Sequence, residues 1–148
     1  MKYKNLETPC IGICSTIYGD EVCRGCKRSS DEVITWNISP PQRKAEILER
    51  LERLTTEATA KKLEITDPDL LKARLQETHI RFREAFSAYC WAYNLLRSEA
   101  DKITDIASYG IAIKPEYRHL DMRQLINAID DDLYQTSQQA LRSTVRGK

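Results

Sequence analysis

The stretch from Cys23-Arg24-Gly25-Cys26-Lys27-Arg28 to Ser39-Pro40-Pro41-Gln42 separates two kinds of polypeptide in this chain. At its start, two thiols sit on one short turn, so both can reach a single metal centre. Gly25 suits such a turn, because glycine tolerates positive φ and lets backbone N–H groups turn toward sulfur. At its end, Ser39 reads as a helix N-cap, Pro40 as the first helical residue, and Gln42 as the residue that completes a capping box with the serine. A helix is therefore predicted from about residue 40. The domain boundary falls between residues 38 and 39.

Upstream lies a second pair, Cys10-Ile11-Gly12-Ile13-Cys14, so the first region reads Cys10-x3-Cys14-x8-Cys23-x2-Cys26. The intervening segment, with Gly19-Asp20, is long enough for a hairpin that returns one pair to the other. Residues 1–38 are poor in aliphatic side chains and rich in turn formers such as Thr8-Pro9 and Tyr18-Gly19-Asp20. Such a region buries little apolar surface alone, and a bound metal would supply the missing stability. Two centres fit four thiolates: a closed tetrahedral zinc site, with Zn–S of about 2.3 Å, or an iron–sulfur cluster. Either carries about two net negative charges in its common oxidised state by ligand counting. Arg24, Lys27 and Arg28 stand beside the second pair and can offset that charge. Spacing by itself does not choose the metal. A short strand at Ile11–Ile13 is the one strand expected.

Downstream the periodicity is helical. Ile47, Leu51, Leu54 and Ala58 form one stripe, and Asp67-Pro68 ends that helix and opens the next. Leu71, Leu75, His79, Phe82, Phe86, Tyr89, Tyr93 and Leu96 step by four and three along a second, the kind of seam by which helices pack side by side. Tyr109-Gly110 interrupts, and Met122, Leu125, Ile129 and Leu133 make a third stripe, with Ala140 a weaker continuation. The predicted fold is mainly α: a small N-terminal four-cysteine metal module (1–38), then a three-helix antiparallel bundle (39–148) with helices at about 40–63, 68–99 and 115–142. The seam would serve closure within one chain or pairing with a second copy as a homodimer.

Composition narrows the function classes. The chain has 148 residues, 41% hydrophobic and 30% charged, which is enough for a real core. A net charge of +1 makes no electrostatic case for nucleic acid or an anionic membrane. No run of roughly 18 apolar residues predicts a membrane span, and the start from Met1 to Pro9 has no apolar stretch for a signal peptide. A cytoplasmic protein is expected, and in a reducing compartment clustered thiols point to metal or redox chemistry rather than disulfides.

Other residues read as structural. Cys90, within Tyr89-Cys90-Trp91, is expected to be a buried helical thiol. Glu116-x-x-His119 has the spacing of a di-iron half-site, but the matching position near His79 is Gln76, so no second half exists. Asp130-Asp131-Asp132 point in different directions on a helix and read as a solvated face. The Tyr89, Trp91, Tyr93 cluster reads as core. Lys27 follows Cys26 where a c-type haem site needs histidine, and a thioredoxin-like context is missing.

Thr8-Pro9-Cys10-Ile11-Gly12-Ile13-Cys14, Cys23-Arg24-Gly25-Cys26-Lys27-Arg28, Asp31-Glu32-Val33 and Trp36-Asn37-Ile38-Ser39 together resemble domain-of-unknown-function family 1289 over residues 8–54. The resemblance implies a small bacterial iron–sulfur protein, with Cys10, Cys14, Cys23 and Cys26 as cluster and metal ligands. It leaves the helices after the motif unexplained. Trp36 matches the family tryptophan and is expected to pack over the module against the first helix. The expected function is an iron–sulfur electron carrier, or a redox or iron sensor, for a protein partner. The alternative is a structural zinc module on a helical protein- or RNA-interaction adaptor. Four protein ligands leave no open position for substrate, which argues against catalysis at the metal. An accessory electron-transfer subunit of an oxidoreductase has the same sequence features as a free carrier.

Overall fold

The computed structural model describes residues 6–12 and 14–146, which are mainly helical. The helices are α1 (Ser30–Thr35), α2 (Pro41–Ala60), α3 (Pro68–Glu77), α4 (Ala88–Glu99) and α5 (Met122–Arg146). Two short strands, β1 (Leu63–Ile65) and β2 (Ile111–Ile113), pair antiparallel. The chain divides into two compact units, Met1–Leu54 with Asp132–Lys148, and Thr55–Asp131. The boundary expected at 38/39 lies inside the first unit. The reason is the shortage of apolar side chains before residue 39. Ile47, Leu48 and Leu51 from α2, and Leu133 and Tyr134 from α5, supply buried surface that the cysteine segment lacks.

In the first unit a 3-10 turn over Ser15–Tyr18 closes on Gly19, whose φ of 100° suits glycine. The chain then reverses: Val22 bridges Ser29, and Ser30 N–H donates to the Glu21 carbonyl at 2.8 Å. Helix α1 starts on a full capping box between Ser29 and Glu32. The capping box expected at Ser39 is not the one that forms. A 3-10 turn over Trp36–Ile38 places Ser39 so that its hydroxyl donates back to the Thr35 carbonyl at 2.8 Å, and α2 begins at Pro41. Of the expected Ile11–Ile13 strand, Ile13 lies outside the described residues, and Ile11 and Gly12 are not in a strand.

In the second unit the single helix expected at 68–99 is two. Helix α3 ends in a Schellman motif: His79 adopts φ 58°, Ile80 N–H donates to Leu75 O and His79 N–H to Gln76 O. His79 is thus an exposed capping residue, not part of a seam. Ser87 then caps α4 by accepting from Cys90 N–H. Between the two helices, Phe82 packs edge-on against Trp91, and Trp91 Nε1 donates to the Arg83 carbonyl at 2.8 Å. The helix expected from 115 starts instead at Met122. Pro115–Tyr117 is a 3-10 turn, and Asp121 with Gln124 forms reciprocal cap bonds of 2.8 and 3.0 Å. The sheet was not foreseen, since three-residue strands show no alternation to read. Its register pairs Leu63 with Ile113 and Ile65 with Ile111. Leu63, Leu71, Leu75, Leu95, Leu96, Ile111, Leu125 and Ile129 are buried in this unit.

Gly110 leads into β2 at φ 74°, and its carbonyl accepts N–H groups of Thr66 and Asp67. A Cβ there would stand 2.3 Å from the Asp67 carbonyl oxygen. Gly110→Ala should therefore cost about 2–3 kcal/mol, from left-handed strain and the backbone clash together. Urea unfolding followed by Trp91 fluorescence in a Trp36→Phe background reads this, and a loss under about 0.5 kcal/mol would refute the geometry.

Candidate metal centre

The Cys23–Cys26 turn is the built part of the site. Cys23 N–H donates to Arg28 O, and Lys27 N–H to Cys23 O, both at 2.8 Å. The left-handed residue that closes this turn is Lys27, at φ 67°, and not Gly25. Cys23 and Cys26 are buried, Cys14 is half-buried and Cys10 is exposed, and all are free thiols. Burial by itself would raise the Cys23 thiol, but N–H groups of Cys26, Ser15 and Gly25 and the Cys26 side chain favour its thiolate and bring it to about 7. Burial pushes the Cys26 thiol up, against the opposing effect of Arg28.

Ser15 ties the first pair's segment to this turn. Besides its N–H toward Cys23, its hydroxyl accepts from Arg24 N–H at 2.8 Å. The neighbouring Cys14 sulfur lies 2.8 Å from the Thr16 hydroxyl. Cys10 stays on its own turn, its sulfur accepting from Gly12 N–H at 3.4 Å. The structure therefore joins Cys23 to Cys26 and brings the backbone after Cys14 against them, while Cys10 is exposed. Among the described residues, no three His, Cys, Asp or Glu side chains group closely enough to hold a metal ion.

The basic residues of the motif separate in role. Arg24 is exposed and lies over the Tyr134 ring at 4.3 Å. Lys27 is buried, with Nζ donating to the Arg24 carbonyl. Arg28 is buried too; Nε donates to Cys26 Sγ at 3.2 Å, and the guanidinium lies 5.2 Å from the centre of the Trp36 ring. Trp36 is buried, with Lys44 of α2 also over its ring, so it packs between the turn and α2. The Cys23–Cys26 turn by itself has features that a metal–thiolate group uses: paired thiols, N–H groups directed at sulfur, and adjacent buried positive charge.

One cluster was not read from the sequence. Buried Glu32 accepts two hydrogen bonds from Arg50, at 2.6 and 2.7 Å, one from Arg43 at 3.3 Å, and one from Ser29 N–H at 2.9 Å. The signal was present as Ser29-x-x-Glu32, a capping-box pattern. A cavity of about 290 Å³ adjoins it, lined by Val22, Lys27, Glu32, Arg43, Arg50 and Ser137 among others. Elsewhere, Cys90 is buried beside the Thr56 and Ser87 hydroxyls, each at 3.5 Å. Glu116 and His119 are exposed outside any α-helix. Asp130 accepts a hydrogen bond from Tyr93, whose phenol burial pushes well above its ordinary value.

Comparison with known proteins places the motif. A family described as protein of unknown function (DUF1289) matches residues 8–55. The uncharacterized protein YdhL of Escherichia coli is 36% identical over 70 residues, covering 46% of this chain and 80% of YdhL. The chain belongs to the DUF1289 family. The DUF1289 match takes in all four N-terminal cysteines, Arg28, Glu32, Trp36 and most of α2. No solved structure matches the chain. No helix among the described residues is long and apolar enough to cross a membrane.

Glu32 carries a pH prediction. Burial would raise its carboxyl, but Arg50, Ser29 N–H and Arg43 outweigh that and hold it below the ordinary 4.5. A carboxylate depressed on folding adds stability above its unfolded value, and that stability is lost as pH falls through the folded value. Glu32→Gln should therefore be less stable than wild type at pH 7, with the gap closing below about pH 4.5. Urea unfolding read by Trp36 in a Trp91→Phe background measures this. A gap that stays constant from pH 7 to 3 would count against the ion cluster.

Proposed function

We propose that this DUF1289 protein is a four-cysteine metal module on a helical body. Cys10, Cys14, Cys23 and Cys26 hold an iron–sulfur cluster that serves a protein partner in electron transfer, or in sensing redox or iron state. The observation that carries this reading is the Cys23–Cys26 turn, with three backbone N–H groups directed at one sulfur and the buried Arg28 on the other. Thiols that served only as small apolar side chains would not need those donors or that charge.

Each residue then has a task. Cys23 and Cys26 supply two thiolates on a preorganised turn. Cys14 follows through the Ser15 contacts, and the exposed Cys10 turn is the part that closes the set. Lys27 and Arg28 offset thiolate charge. A cluster, when bound, supplies one-electron transfer at a potential set by hydrogen bonds, charge and exposure. Four protein ligands leave no open position, which favours a carrier or sensor over a catalyst. Ile11, Ile17 and Tyr18 are 45%, 73% and 85% exposed in the segment that carries the cysteines, which supports docking of a partner there.

A zinc reading has its own support. A buried Cys-x2-Cys turn with N–H donors to sulfur suits structural zinc equally well, and the core-poor segment around it would profit from a closed site. Function would then lie on the helices. Anaerobic purification with visible absorption and analysis for iron, sulfide and zinc separates the two. Iron with acid-labile sulfide and a brown colour supports the first; a colourless protein with about one zinc per chain supports the second. In either case Cys26→Ala should lose metal, whereas Cys90→Ser should keep wild-type content. Metal loss in Cys90→Ser would overturn the ligand set.

A further inference from the structure

Two buried or half-buried arginines in the first unit meet opposite surroundings. The Arg50 charge is answered by the Glu32 carboxylate through two hydrogen bonds. Arg28 is 2% exposed and has no such partner. Its Nε donates to the Cys26 sulfur at 3.2 Å, its guanidinium carbon lies over the Trp36 ring, and its Nη1 is buried with no hydrogen-bond partner. A cation removed from water is costly unless negative charge or good acceptors face it. Trp36 offers its ring face and no anion. The acceptor that the guanidinium reaches is the Cys26 sulfur.

We infer that Arg28 is the fixed counter-charge of the thiolate centre, with Nε held on Cys26 and the unpaired Nη1 available to a second sulfur. It therefore sets how tightly the metal is held and, for an iron–sulfur cluster, where its potential lies. This rests on the metal reading above. Arg28 is not a ligand; it acts through Cys26. A guanidinium does this as a planar fork, two donors at a fixed angle, which the point charge of lysine does not reproduce. Outer-shell donors to metal ligands change affinity by about 10- to 100-fold. A positive charge beside a cluster favours the state that has gained an electron.

The test compares the full-length wild type with Arg28→Met and Arg28→Lys. Each is titrated anaerobically with Co(II) at pH 7, following the thiolate-to-cobalt absorption band. Methionine fills volume without charge, and apolar replacement of a buried ion often leaves folding intact. Arg28→Met should bind Co(II) at least about tenfold more weakly, and Arg28→Lys should fall between it and the wild type. In iron-loaded protein, Arg28→Met should shift the potential negative, a readout that packing alone would not move. A folded Arg28→Met that binds Co(II) like the wild type overturns the inference. Should Arg28→Met not fold, Arg28→Lys decides: several-fold weaker binding supports the fork, and unchanged binding overturns it. A wild type that takes up no Co(II) overturns the metal reading and this inference together.

Discussion

A charge withdrawn from water must meet an opposite charge or a dense set of acceptors, and the first unit is organised around that constraint. Lys27, Arg28 and Glu32 are all buried within a few residues of one another. Glu32 resolves its burial through Arg50, Arg43 and the N-terminus of α1. Lys27 turns its ammonium onto carbonyls of the cysteine turn. Arg28 turns onto sulfur. Apolar residues of α2 and α5 fill the same unit.

The cysteine segment shares one compact unit with the first part of α2 and the last part of α5. Residues before 39 contribute little aliphatic surface, and the turn that carries Cys23 and Cys26 is sealed by elements from far along the chain. Tyr134 of α5 donates its hydroxyl to the Val22 carbonyl, and Trp36 rests under Lys44 of α2. A segment with few apolar side chains becomes ordered by borrowing surface and by satisfying its backbone groups with distant partners. The unit boundary therefore cuts through α2 and α5 instead of falling at the proline pair.

Some of this was legible in local chemistry. The Cys-x2-Cys turn, the stripe of Ile47, Leu51 and Leu54, and the buried run of Leu125, Ile129 and Leu133 are local patterns, and each is found where its period placed it. The 68–99 segment misled because two separate amphipathic helices happen to continue one another's period. The break lies in the backbone of His79, a non-glycine residue in a left-handed conformation that no hydrophobic pattern announces. At Ser29 the capping box with Glu32 opens α1, and Glu32 also meets Arg50 and Arg43; at Ser39 the hydroxyl turns back to the Thr35 carbonyl instead of capping α2.

By itself, the sequence determined that the chain is mainly helical, that four cysteines stand in two close pairs near the start, and that it belongs with DUF1289; all three rest on periodicity or on contiguous motif. Tertiary structure alone decided which thiols are buried, which of three basic neighbours faces sulfur, and where the units divide. Those outcomes depend on desolvation and on contacts between residues as distant as Val22 and Tyr134. Local sequence specifies backbone preference, and only the folded chain specifies which charges lose their water.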